Sequence, residues 1–328
     1  MTSRIHAFDA LDNFRDYGGY DTAAGRVLKT GRLFRSAHQA SASEADLDRL
    51  AALDLGVVVD LRRPVERRRQ PSKRAANFTG QVFESDLDEA GEAPHITFLK
   101  TADLTPDSGR RFMTATYRQL PFAPAHIDLF GRYFSALGET DRPVLIHCAA
   151  GKDRTGMLAA LTHHLLGVGH DDLMQDYLLT NTAVDLVGRA PAIAEQLKGF
   201  TGREASHDAV VAFMGVEPAY LDAAIAAINE RYGSIDGYLE QALGVDAALR
   251  ARITERLAAC QARGLWPFAS SGPSTGSSPW PSRPGWRIAR GPCVSCPTAA
   301  PRRGVPGSPA PPTGSSRRGW RRPSPSPP

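Results

Sequence analysis

The sequence predicts an α/β fold: a central, mostly parallel sheet flanked by helices and completed by a C-terminal helical block. Three observations carry that expectation. GVVVD (56–60) and PVLIH (143–147) are continuous apolar runs that end on a polar residue. Such runs suit strands buried on both faces, as in a parallel sheet. Segments of helical spacing alternate with them, which is the pattern of a layered α/β domain. From Ala209 to Ala259 the pattern is helical throughout.

The elements follow in order. SEADLDRLAALDLG (43–56) opens with a capping serine and acids and ends on glycine, which predicts a helix ahead of the GVVVD strand. HIDLFGRYFSALG (126–138) spaces Ile127, Phe130, Phe134 and Leu137 along one helical face and stops at Gly138. RTGMLAALTHHLLG (154–167) reads as a buried helix closing at Gly167. The last block reads as four helices, in DAVVAFMGV, PAYLDAAIAAINERYG, SIDGYLEQALG and VDAALRARITERLAAC. No internal repeat is visible.

Composition limits the rest. No apolar run is long enough to cross a bilayer. The start, MTSRIHAFDALDNFRDY, has acids and aromatics where a secretory signal needs an apolar core. Cytoplasmic residence is the expectation, with unconventional export left open. The four cysteines, Cys148, Cys260, Cys293 and Cys296, are too few for a disulfide scaffold, so a reducing compartment is expected. The net charge of +4 misleads, because residues 267–328 hold nine Arg and no Lys, Asp or Glu. Removing those nine charges leaves −5 on the remainder, so no basic partner surface, and no nucleic-acid partner, is inferred for it. The same segment holds 16 of the 25 prolines, too little apolar surface to offset the entropy of ordering. The expected organisation is one domain over 5–266 and a disordered tail over 267–328. That tail is read as solvated, with a nucleic-acid or membrane-surface role and an out-of-frame extension as alternatives. Cys293 and Cys296 have zinc-knuckle spacing but no second pair, so no metal site is assigned.

The chemistry concentrates in HCAAGKDRTG (147–156). A phosphate-binding loop of the nucleotide type needs glycine five positions before Gly151, and Ile146 stands there. His147 and Cys148 are adjacent at a strand end, where alternate side chains diverge, which disfavours a metal site. A third reading fits. Five residues separate Cys148 from Arg154 in a loop joining a buried strand to a buried helix. Successive amides of Ala149, Ala150, Gly151, Lys152, Asp153, Arg154 and Thr155 line one concavity at a helix N-terminus, a cradle for a phosphate dianion. Arg154 adds a planar fork for two phosphoryl oxygens. The same field favours the Cys148 thiolate. Gly151 and Gly156 supply backbone freedom, Thr155 can donate to the departing sulfur, and His147 supports the loop from the strand end.

That decapeptide resembles the HC-x5-R-[ST] signature of cysteine-dependent phosphatases. With its Gly-Lys-Asp-Arg core it is similar to the bacterial tyrosine phosphatases with lipid-phosphatase-like loops, the group of the secreted mycobacterial enzyme. NFRDYGGY (13–20) resembles that family's NFRD-x-GG motif, and VVVDLRRPVER (57–67) its D-L-R-x-x-x-E segment. DYLLTN (176–181) and residues 220–245 resemble its closing helices. The resemblance implies the cysteine-phosphatase fold and a protein-tyrosine-phosphatase activity, with phosphoserine and phosphothreonine as further substrates. It implies a phosphocysteine on Cys148, Arg154 holding the equatorial oxygens, and no metal or other cofactor.

The general acid is open at this stage. Eukaryotic tyrosine phosphatases carry an Asp upstream on a mobile loop, but ATYRQLPFAPAH (115–126) holds no carboxylate and Asp128 reads as helical. Asp60 ends a strand and Asp153 lies in the loop, and the resemblance supports both. Their structural alternatives are a salt bridge from Asp60 to Arg62 or a helix cap, and an ion pair at Asp153. Lys152 favours a phosphoinositide as alternative substrate, unless it pairs with a carboxylate such as Asp60. The arginines of RRPVERRRQ (62–70) are read either as headgroup ligands or as a solvated face partly neutralised by Glu66. Asn13, Phe14, Arg15, Asp16, Gly18 and Gly19 are read first as a turn tied by an Arg-Asp pair and second as a pocket wall. His163 and His164 are expected on a partly buried helix face, and Tyr117, Tyr177 and Tyr220 in the core. A pseudophosphatase that only binds phosphorylated partners is the non-catalytic alternative, and retention of Cys148 and Arg154 speaks against it.

Overall fold

A computed structural model describes residues 4–87 and 94–260. The tail from 267 onward and the Cys293/Cys296 pair lie outside the described residues. In chain order the strands are β1 (Arg15–Asp16), β2 (Arg26–Leu28), β3 (Leu33–Ser36), β4 (Val57–Asp60), β5 (Gln81–Phe83), β6 (Val144–His147) and β7 (Ala258–Cys260). The main sheet runs β1-β3-β6-β4-β5. Only the β1–β3 pairing is antiparallel within it. The fold is therefore α/β with a mostly parallel sheet, as the sequence predicts.

The apolar runs are continuous because both faces of the sheet are covered. Val57, Val59, Val144 and Ile146 enter the large core. The alternate residues Val58 and Leu145 enter a second cluster with Phe34, Leu50 and Leu55. Period-two alternation thus divides each strand between two cores.

The helices before β6 are α1 (Glu44–Ala52), α2 (Pro64–Arg69), α3 (Pro94–Thr101), α4 (Pro106–Gln119) and α5 (Pro124–Leu137). Helix α1 starts at the expected serine: Ser43 Oγ accepts from the Asp46 amide at 3.1 Å, and Asp46 accepts from the Ser43 amide at 3.2 Å. This reciprocal cap satisfies two otherwise orphaned donors. After β6 come α6 (Asp153–Leu165), α7 (His170–Ala183), α8 (Leu186–Thr201), α9 (His207–Met214), α10 (Pro218–Tyr232), α11 (Ile235–Gln241) and α12 (Ala247–Leu257).

Two differences from the sequence reading stand out. The final helix stops at Leu257, and Ala258–Cys260 pairs antiparallel with β2. Backbone pairing to a distant edge overrides helical spacing there, which local pattern does not encode. Residues 207–232 also reach the length and apolarity of a membrane-crossing helix, half buried in the fold. They are not one helix: α9 and α10 are separated by Gly215, Val216 and Glu217. Their apolar residues, Val216, Tyr220, Leu221 and Ala224 among them, belong to the large core.

Candidate active site

Strand β6 is central, so the loop that follows it leaves the middle of the sheet at its C-terminal end, where parallel α/β sheets place ligands. The register sets His147 beside Ser36 on β3 and Asp60 on β4. Cys148 comes next, a free cysteine that is 2% exposed. Helix α6 begins at Asp153, which puts Arg154 in its first turn.

The loop is held from outside by its carbonyls. Ala149 O accepts from the His38 amide at 3.1 Å. Ala150 O and Gly151 O accept from Asn13 Nδ2 at 3.1 and 2.9 Å. Gly151 O also accepts from Arg35 Nη2 at 2.9 Å. In a planar trans peptide the amide points opposite its carbonyl, so the amides of Ala150, Gly151 and Lys152 point the other way, into the turn. Gly151 is needed for two reasons. Its φ is +68°, and a Cβ there would stand 2.4 Å from Ser36 O.

Arg154 is clamped in place. Its Nη1 and Nη2 donate to Glu66 Oε2 and Oε1 at 2.6 and 2.9 Å, and Nη1 also donates to Leu61 O at 3.1 Å. Glu66 itself accepts from the Arg63 amide at 2.7 Å at the start of α2. Burial opposes the Arg154 charge, but the Glu66 hydrogen bonds and the charges of Cys148, Glu66 and Asp153 reverse that and raise its pKa. Burial likewise opposes ionisation of Glu66, and the Arg154 contacts overcome it, holding that carboxyl at about 2. The sequence reading gave Glu66 the minor role of neutralising surface arginines. Its i+6 spacing from Asp60 was visible, but its aim at Arg154, 88 residues away, depends on β4 lying beside β6.

The two acid candidates have different surroundings. Asp60 is fully buried and accepts from Arg62 at the amide (3.1 Å), Nε (2.9 Å) and Nη2 (2.7 Å). Against the effect of burial, His147 and Arg62 hold the Asp60 carboxyl down at about 2. Burial pushes His147 down to about 4, so it is uncharged at neutral pH and Arg62 is the lasting partner. The Arg62 salt bridge weighed from sequence is thus present. Asp153 keeps 24% of its side chain exposed and accepts from Tyr117 Oη at 2.9 Å. Lys152 Nζ lies 3.7 Å from Asp153 Oδ2 and donates to the carbonyls of Phe213 (2.8 Å) and Gly215 (3.3 Å) at the end of α9. The carboxylate alternative weighed for Lys152 is met by Asp153 in place of Asp60, and the carbonyls at a helix C-terminus further favour the cation. Asp128 pairs with Arg132 along α5 at 3.3 Å, as its helical reading implied.

The N-terminal motif supports the loop. Arg15 does not pair with Asp16, as the sequence reading had it. Asp16 accepts from the amides of Gly18 and Gly31 at 2.7 and 2.5 Å. Arg15 Nε reaches Asp176 Oδ1 at 3.0 Å, and Arg35 Nη1 reaches Asp176 Oδ2 at 2.6 Å. Phe14 packs in the second core. Asn13, at φ 59°, turns the chain so that its amide meets the loop. His163 and His164 are more buried than expected. His163 Nε2 hydrogen-bonds Tyr17 O at 2.7 Å, and His164 lies 3.2 Å from Asp236. Thr155 is buried with its hydroxyl unpartnered.

The arrangement brings together a buried thiol, a clamped guanidinium and a run of loop amides turned away from the carbonyl contacts. The model of the tyrosine phosphatase family matches residues 6–259. The chain belongs to that family. Within it, a Cupriavidus necator protein named as a tyrosine-protein phosphatase is 35% identical over 242 residues, 74% of this chain and 85% of that protein. The triple specificity protein phosphatase PtpB of Mycobacterium tuberculosis is 34% identical over 257 residues, 70% of this chain and 91% of that protein. A tyrosine-protein phosphatase of Nostoc commune is 28% identical over 218 residues, 63% of this chain and 67% of that protein. This phosphatase is thus related along most of its described length to enzymes of one class.

Proposed function

We propose that this phosphatase hydrolyses phosphotyrosine monoesters, and phosphoserine and phosphothreonine as well, through a phosphocysteine on Cys148. The observation that carries the reading is the pairing of Cys148 with a guanidinium held bidentate by Glu66 across a loop with inward amides. Cys148 attacks phosphorus in line, while Arg154 and the loop amides take up the charge on the equatorial oxygens. The unpartnered Thr155 hydroxyl suits a donor to the sulfur when the thiolate leaves. Serine and threonine substrates are included because of the breadth in the name of the mycobacterial relative.

Asp153 is the better acid. Asp60, held at about 2 and saturated by Arg62, has no proton to give at neutral pH. Asp153 is partly exposed and lies next to Arg154 in the loop. Asp153→Asn is expected to lower kcat on phenyl phosphate about 100-fold and on p-nitrophenyl phosphate far less, since a good leaving group needs no proton. Equal losses on both esters would remove Asp153 from the role. A phosphoinositide reading draws no support from Lys152, which is engaged by the Phe213 and Gly215 carbonyls. A panel of phosphotyrosine peptide, phosphoserine peptide and a phosphoinositide tests the substrate class. A lipid hydrolysed with the highest kcat/KM would overturn the proposal.

A further inference from the structure

Tyr117 and Tyr177 looked from sequence like core residues, and their rings are buried, 0% and 1% exposed. Their hydroxyls form a chain that ends on the loop. Tyr177 Oη donates to Tyr117 Oη at 2.8 Å, and Tyr117 Oη donates to Asp153 Oδ1 at 2.9 Å. We propose that Tyr117 is the positioning residue for Asp153, and that it fixes Oδ2 as the oxygen carrying the transferable proton. This rests on the reading of Asp153 as the acid.

A phenol has one proton to donate. Tyr117 accepts a hydrogen bond from Tyr177 and directs its own O–H to Asp153. Burial, with Asp153 nearby, raises both phenols well above their usual range, so both stay protonated throughout the working pH. Oδ1 then accepts in either state of the carboxyl, which favours the acid proton on Oδ2, because a carbonyl oxygen accepts better than an acid hydroxyl. Lys152 Nζ, 3.7 Å from Oδ2, is placed to favour the carboxylate left after transfer. In the first step the Sγ–P bond forms, the ester P–O bond breaks and the Oδ2 proton goes to the leaving oxygen. In the second, water gives a proton to Oδ2 as its oxygen bonds phosphorus. The Sγ–P bond breaks then, which returns the thiolate, the acid and inorganic phosphate.

The test is Tyr117→Phe, which keeps the ring and removes the donor. A hydrogen bond to a carboxylate favours its ionised form, so its loss lets the proton persist to higher pH. The alkaline limb of the kcat profile is expected to move upward. The plateau on phenyl phosphate is expected to fall about tenfold, the scale of one positioned hydrogen bond to a charged group, with a smaller loss on p-nitrophenyl phosphate. Tyr177→Phe, which touches only the second link, should move the limb less in the same direction. It also keeps the question answerable if Tyr117→Phe fails to fold. An unmoved limb in either folded variant, with equal losses on both esters, overturns the proposal. Asp153→Asn separates the two failures. If it keeps the wild-type rate on phenyl phosphate, the acid assignment is wrong. If it is slow while Tyr117→Phe behaves as wild type, only the positioning role is wrong.

Discussion

Cys148→Ser is expected to abolish turnover, by a factor of about 10⁴ or more, since removing a nucleophile that acts with its partners as a unit costs on that scale. The loss should be confined to chemistry. The amides that point into the loop belong to the backbone, and their orientation is set by the carbonyl contacts of Asn13, Arg35 and His38. The Arg154–Glu66 clamp is also independent of the sulfur. The variant should therefore still bind phosphotyrosine peptide, with affinity read by calorimetry. Rapid acid quench with radiolabelled phosphate ester should leave label on the wild-type chain and none on the variant. Full turnover by Cys148→Ser would end the phosphocysteine mechanism, and equal labelling of both proteins would move the covalent site elsewhere.

The second large effect is on stability. Asp176 is 1% exposed and bridges two fully buried guanidiniums, Arg15 at 3.0 Å and Arg35 at 2.6 Å. Burial opposes its charge, but the two arginines outweigh that and hold its carboxyl far below the usual range. Asp176→Asn leaves both guanidiniums buried without a carboxylate between them, which costs about 3–5 kcal/mol. A drop in the urea midpoint of more than about 1 M should follow. A midpoint within experimental error of wild type would show that the triad is dispensable. The pH dependence has a definite sign. Asp176 and Glu66 both have depressed folded pKa values, so their stabilisation is complete above the unfolded carboxylate range and lost as pH falls through the folded values. For Glu66 that window runs from 4.5 down to about 2. Urea midpoints should hold from pH 7 to the upper edge of this window and fall below it, so far as these two groups decide. A steep loss by pH 6 would point to other groups.

Sequence by itself determined the elements that carry a local pattern. β4 and β6 were legible because a strand covered on both faces is apolar throughout, and α1, α5 and α6 because their caps and spacing are encoded within one helix. The spacing of Cys148, Gly151 and Arg154 was legible because a tight strand-to-helix loop constrains its own residues. Tertiary structure decided every contact made across the sheet. Glu66 meets Arg154 because β4 neighbours β6, and Asp176 joins Arg15 to Arg35 because α7 returns behind β1 and β3. The surroundings of Asp60 and Asp153 are likewise set by the fold. Both are carboxylates near the loop in sequence terms, and the difference between them is their partners. One is saturated by a guanidinium two residues away, and the other is met by a tyrosine hydroxyl delivered by α4. A proton affinity is set by the groups around a carboxyl, and those are brought together only by the fold.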